Sequence, residues 1–98
     1  MQFRRVVITG LGTLNPLANT VPDYWKALLA GQCGAADITL FDASKFKTRF
    51  ACEVKGFDPG NYLDRKEARK LDRFSQLAIA ACEEAVNDAG LLEHKPDP

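Results

Sequence analysis

The run from Asp64 to Gly90, DRKEARKLDRFSQLAIAACEEAVNDAG, constrains this chain more than any other stretch. It opens as a dense basic segment and continues, without a proline, into a long alanine-rich pattern. Asp72 suits a helix cap with Arg73 as the first helical residue, and Gly90 suits a stop. Phe74, Leu77, Ala78, Ala81, Cys82, Ala85, Val86 and Ala89 fall on one face of such a helix. Gln76, Glu83, Glu84, Asn87 and Asp88 mark the polar face. The alanines between Ala78 and Ala89 leave little side-chain bulk, so a neighbouring element can approach closely. A helix of this kind belongs inside a layered fold.

The basic end holds Arg65, Lys66, Arg69, Lys70 and Arg73 within nine positions. Helical spacing puts Arg65, Arg69 and Arg73 on one stripe, with Lys66 and Lys70 beside it. Over the whole chain 13 basic and 13 acidic side chains cancel, so no global field draws it to nucleic acid or to a membrane surface. The local cluster reads either as a solvated helix face or as a docking patch. Its arginines could grip phosphate or carboxylate through paired hydrogen bonds, and its lysines could act as movable point charges.

Ahead of this run, Arg5-Val6-Val7-Ile8-Thr9-Gly10 is a β-branched series closed by glycine. An apolar run without alternation predicts a strand buried on both faces, as in a parallel sheet covered by helices. The GLG that follows is no dinucleotide cradle, because Asn15 stands where a third glycine belongs and Pro16 bars a smooth entry into a helix. Those glycines instead permit close backbone packing. Thr20, Pro22 and Asp23 predict the start of a short amphipathic helix, roughly Asp23 to Ala30, with Gly31 ending it. Val21, Trp25, Leu28 and Leu29 form its apolar face, with Trp25 as a core anchor. Residues 32–49 read as an irregular excursion pinned by Ile38, Leu40, Phe41 and Phe46. Residues 50–55 then alternate as an edge strand with Phe50, Cys52 and Val54 inward.

Chemistry-bearing residues are sparse. Cys33, Cys52 and Cys82 make neither a CxxC pair nor a disulfide framework, which predicts a reducing cytoplasm. Cys52 and Cys82 fall on expected apolar faces, and Cys33 has no local base. A single histidine, His94, argues against a zinc site. No stretch approaches the ~20 apolar residues of a membrane span, and the N-terminus lacks the apolar core of a signal peptide. The residues predict no catalytic group, no metal and no cofactor within these 98 positions.

Taken together, RRVVITGLGTLNP at 4–16, YWKALLAGQCG at 24–34, FDASKFKTRFACEV at 41–54, RKEARKLDRFSQLAI at 65–79 and AVNDAGL at 85–91 resemble the N-terminus of the β-ketoacyl-acyl-carrier-protein synthases. The likeness is strongest to the type II synthases of bacterial fatty-acid elongation. It covers nearly the whole chain in register.

This resemblance implies an α/β fold, the N-terminal part of a thiolase-like α-β-α-β-α layering, in a protein several times longer and dimeric when intact. Residues 1–98 would be the N-terminal portion of the first thiolase-like half, with the catalytic core and second half outside this chain. It implies a decarboxylative condensation of malonyl-carrier protein with an acyl chain held on a cysteine, supported by two histidines. Those three residues lie beyond residue 98 in the family, and neither Cys52 nor Cys82 has the nucleophile's surroundings. The resemblance also implies that Lys66, Arg69 and Lys70 contact the acidic acyl carrier protein, whose phosphopantetheine arm carries the acyl and malonyl groups. Arg65 and Arg73 are adjacent candidates. Type I and polyketide ketosynthases, or a non-catalytic chain-length factor or docking module, are the alternatives.

Overall fold

The computed structural model describes residues 2–94. Three helices, one 3-10 turn and a two-stranded sheet follow each other in the order α1 (Val21–Leu29), β1 (Ala35–Asp37), β2 (Phe50–Cys52), the 3-10 turn (Pro59–Asn61), α2 (Arg65–Arg69) and α3 (Arg73–Ala89). These elements suit an α/β segment, but they do not enclose a core of their own. Only Ala27, Ala43 and Ala80 are buried among the described residues. The accessible surface is 8416 Å², against roughly 5,500 Å² for a compact protein of this size. The radius of gyration is 17.4 Å, where about 13 Å is usual for 100 residues.

Local signals place the helix ends. Thr20 is extended and its hydroxyl accepts the Asp23 N–H at 3.3 Å, which starts α1 with Pro22 in the first turn. Gly31 follows at φ 71° and Gly90 ends α3 at φ 67°, both in the left-handed region that a Cβ disfavours. Asp64 caps α2 by accepting the Glu67 N–H at 2.8 Å. Asp72 occupies the cap position of α3 in extended conformation, though its side chain makes no capping bond.

The alanine-rich helix is approached closely, as its composition suggested, and the element that approaches it is the GLG segment. A Cβ on Gly12 would collide with the Ala81 carbonyl and come within 2.8 Å of the Ala85 nitrogen. One on Gly10 would come within 2.7 Å of the Ala89 nitrogen. Real Cβ atoms do not sit so near backbone, so only glycine fits at these crossings.

Several expectations fail, each for a tertiary reason. Residues 5–10 form no strand. Phe3, Val6, Val7 and Ile8 are exposed, Val6 by 91%, because a strand needs hydrogen-bonded neighbours and none is present among the described residues. Trp25 is exposed rather than a core anchor, and α1 buries Ala27 instead. Residues 32–49 are not wholly irregular. β1 pairs antiparallel with β2 in the register Ala35↔Cys52, Ala36↔Ala51 and Asp37↔Phe50.

The phase of β2 is opposite to the one expected. Ala51 is half-buried while Phe50 and Cys52 are exposed. Of the apolar pins, Ile38 is half-buried, whereas Leu40, Phe41 and Phe46 are exposed, with Phe41 and Phe46 edge to face at 5.9 Å. On α3, Phe74, Ala78 and Cys82 make an outward stripe, and Ala80 is the most buried residue. All three cysteines are therefore exposed thiols. Among the described residues no helix is long and apolar enough to cross a membrane. Of the tail, residues 95–98 lie outside the described part, and His94 is exposed.

Candidate functional site

The basic run does not form one continuous helix. Leu71 and Asp72 break it, so α2 carries Arg65, Lys66 and Arg69, Lys70 is its C-cap, and Arg73 begins α3. The break follows from the backbone: a residue at the N-cap position of the next helix has to leave the helical conformation, and Asp72 sits at φ −69°, ψ 161°. The stripe expected through Arg65, Arg69 and Arg73 is thereby cut. Arg73 turns instead over the Phe57 ring, 5.1 Å from its centroid, and Phe57 in turn stacks on Tyr62 at 5.9 Å.

What is left on α2 is a compact cationic turn. Lys66 and Lys70 are four positions apart and Arg69 lies three from Lys66, so the three share one side of the helix. Arg65, Lys66, Arg69 and Lys70 are all exposed. Lys66 and Arg69 lie in the last turn, where the helix dipole favours positive charge. Arg65 and Arg69 also wall a cleft of about 320 Å³ shared with Asp58, Gly60 and Gln76. Its chemistry fits an anionic partner: exposed cations on a capped turn, beside a recess that Asp58 and Gln76 also line.

Two sets of hydrogen-bonding residues were not evident from side-chain type: one ties the cationic turn to α3, and the other holds the GLG segment. Gln76, expected on a polar face, is half-buried and donates its amide N–H to the carbonyls of Ala68 at 2.8 Å and Leu71 at 3.4 Å. Glu84 and Asp88, expected on the same polar face, reach the GLG segment. Glu84 accepts the Thr13 N–H through Oε1 and the Val21 N–H through Oε2, each at 2.9 Å. Asp88 accepts the Leu11 N–H at 3.0 Å. The i, i+4 spacing of Glu84 and Asp88, next to Ala81, Ala85 and Ala89, was the signal available.

A second carboxylate latch holds the β1–β2 excursion. Glu53 accepts the N–H groups of Thr39 and Leu40 and the Thr39 hydroxyl, at 2.9–3.3 Å. The Thr39 backbone N–H, with smaller help from its hydroxyl and Leu40, holds the Glu53 carboxyl below the usual range. Asp42 is lowered in the same way by the Ser44 backbone N–H, in a tight turn. Among the described residues no three His, Cys, Asp or Glu side chains gather as a metal site.

The family model for the β-ketoacyl synthase N-terminal domain matches residues 3–98. The chain is 55% identical over 91 residues to the 3-oxoacyl-[acyl-carrier-protein] synthase 2 of Vibrio cholerae, covering 93% of this chain and 22% of that protein. It is 49% identical over 92 residues to the enzyme of the same name from Synechocystis, covering 94% of this chain and 22% of the relative. A solved structure, the ishigamide ketosynthase/chain length factor, superimposes with a TM-score of 0.82 at 42% identity, over 90% of this chain and 22% of that one. The chain thus spans about a fifth of the length of its relatives, and its fold is that of the corresponding part of a ketosynthase. Matched from residue 3 to residue 98, it belongs to the β-ketoacyl synthase N-terminal domain family.

Proposed function

We propose that these residues are the N-terminal portion of the first thiolase-like half of a 3-oxoacyl-[acyl-carrier-protein] synthase. The whole protein would be an acyltransferase that elongates fatty acids by decarboxylative condensation of malonyl-carrier protein with a cysteine-bound acyl chain. It would work in the cytoplasm as a homodimer. The identity of 55% to a relative of that name, over 93% of the chain, carries this reading. Within the segment, Lys66, Arg69 and Lys70 are the carrier-protein contacts. Their exposure on a capped turn supports that role, since an acidic partner is steered by such a cluster.

The 98-residue chain by itself is inactive, because the nucleophilic cysteine and the two histidines of the reaction lie outside it. Assaying it for malonyl-carrier-protein decarboxylation tests this, and clear turnover would sink the idea. For the patch, Lys66→Glu with Arg69→Glu in the full-length protein weakens carrier-protein binding by roughly tenfold or more at low ionic strength, and by less at high salt. Unchanged affinity at low salt would leave only a solvated helix face.

One observation favours a second reading. The matched solved structure is described as a ketosynthase/chain length factor, which supports keeping a chain-length factor beside the synthase reading. The residue at the family's nucleophile position, downstream of these, separates the two: a cysteine indicates a synthase, a replaced cysteine a chain-length partner.

A further inference from the structure

α2 has five residues, and helices shorter than about 12–15 residues do not hold themselves together in water. The direction in which its cations point therefore depends on what ties its two ends. At the N-terminus Asp64 accepts the Glu67 N–H within the same turn, which shapes the helix but anchors it to nothing else. At the C-terminus the tie crosses the break to the next helix. Gln76 on α3 sends its amide into the carbonyls of Ala68 and Leu71, at 2.8 and 3.4 Å. Only the NH2 end of the carboxamide can face two carbonyl oxygens. The same side chain lines the cleft walled by Arg65 and Arg69.

We infer that Gln76 is a positioning residue for the cationic turn: its carboxamide fastens the C-terminal end of α2 to α3 and so sets the direction in which Lys66, Arg69 and Lys70 meet their partner. The inference rests on the carrier-docking reading above. A neutral donor suits the place. A glutamate would set a carboxylate against carbonyl oxygens, and a lysine would add a further cation to the patch.

The test uses the full-length protein with Gln76→Met, which keeps the length of the side chain and removes the donor. Losing such a bond raises KM for the carrier-bound substrate by roughly 2- to 10-fold, with kcat in place. The shift should be smaller in an Arg69→Ala background, because two residues acting through one surface are not additive. An unchanged KM in Gln76→Met, with Arg69→Ala raising it, overturns the positioning role and leaves docking intact. A fall in kcat, or full additivity with Arg69→Ala, overturns it in favour of a general structural role. If Arg69→Ala, Lys66→Glu and Arg69→Glu all leave carrier affinity untouched, the docking reading itself fails.

Discussion

Glu84 on α3 accepts the Thr13 N–H at 2.9 Å across 71 positions of sequence, and its other oxygen accepts the first N–H of α1 at Val21. One carboxylate thus joins the loop after GLG to the start of a helix, and it sits where α1 has unpaired N–H groups and the positive end of its dipole. Asp88, one turn further along α3, accepts the Leu11 N–H.

Glu84→Ala leaves two half-buried N–H groups without their acceptor. We expect a loss of about 1–3 kcal/mol in the full-length protein, read as a lower denaturant midpoint. Glu84→Gln, which keeps one acceptor oxygen, falls between. Hydrogen exchange at Thr13 and Val21 should quicken selectively, and uniform quickening would argue against a latch.

Gly12→Ala forces a Cβ into the Ala81 carbonyl. Backbone cannot yield as a flexible side chain does, so the cost is about 1–3 kcal/mol or more. Gly31→Ala is the informative comparison. Its Cβ would meet nothing within 4 Å, so only its φ of 71° is penalised, by roughly 1–2 kcal/mol. A Gly12→Ala variant as stable as the parent would refute the close crossing.

Acid should release the Glu53 latch late. Its carboxyl is held below the ordinary range, chiefly by the Thr39 N–H, so the folded state binds its proton less readily than the unfolded chain. The contribution is complete above the unfolded value, about 4.3 for glutamate, and is lost as pH falls through the lower folded value. The Thr39 and Leu40 amide shifts should titrate with a midpoint below that of a free glutamate, and Glu53→Gln should abolish the step. A midpoint at or above the free value would contradict the latch.

The 98-residue chain alone should melt without cooperativity. Among the described residues full burial is confined to Ala27, Ala43 and Ala80, far short of what offsets the entropy of ordering a domain. A sharp calorimetric transition in a monomer would disprove this.

The sequence by itself determined the features that depend on neighbours a few positions away. Thr20, Gly31 and Gly90 mark helix ends by their own conformational and hydrogen-bonding chemistry, and each stands where that chemistry places it. Asp72 also marked the start of α3, and the same capping conformation is what cuts the stripe through Arg65, Arg69 and Arg73. The cationic cluster and the need for a close neighbour against the alanine helix were legible for the same local reasons.

The tertiary structure alone decided which side of each element faces inward. Phe74, Ala78 and Cys82 look as apolar as Ala81, Ala85 and Ala89, yet only the second set meets the GLG segment. Glu84 and Asp88 look like solvent residues, yet they bind backbone 63 to 77 positions away. The run at residues 5–10 carries strand chemistry without a ladder to join. Side-chain type records what a residue can do, whereas the partner that takes its hydrogen bond or covers its surface is supplied from elsewhere in the fold. That division runs through Asp64 to Gly90: its caps, its charges and the Gln76 bonds to Ala68 and Leu71 lie within the stretch, and the bonds of Glu84 and Asp88 depend on what packs against it.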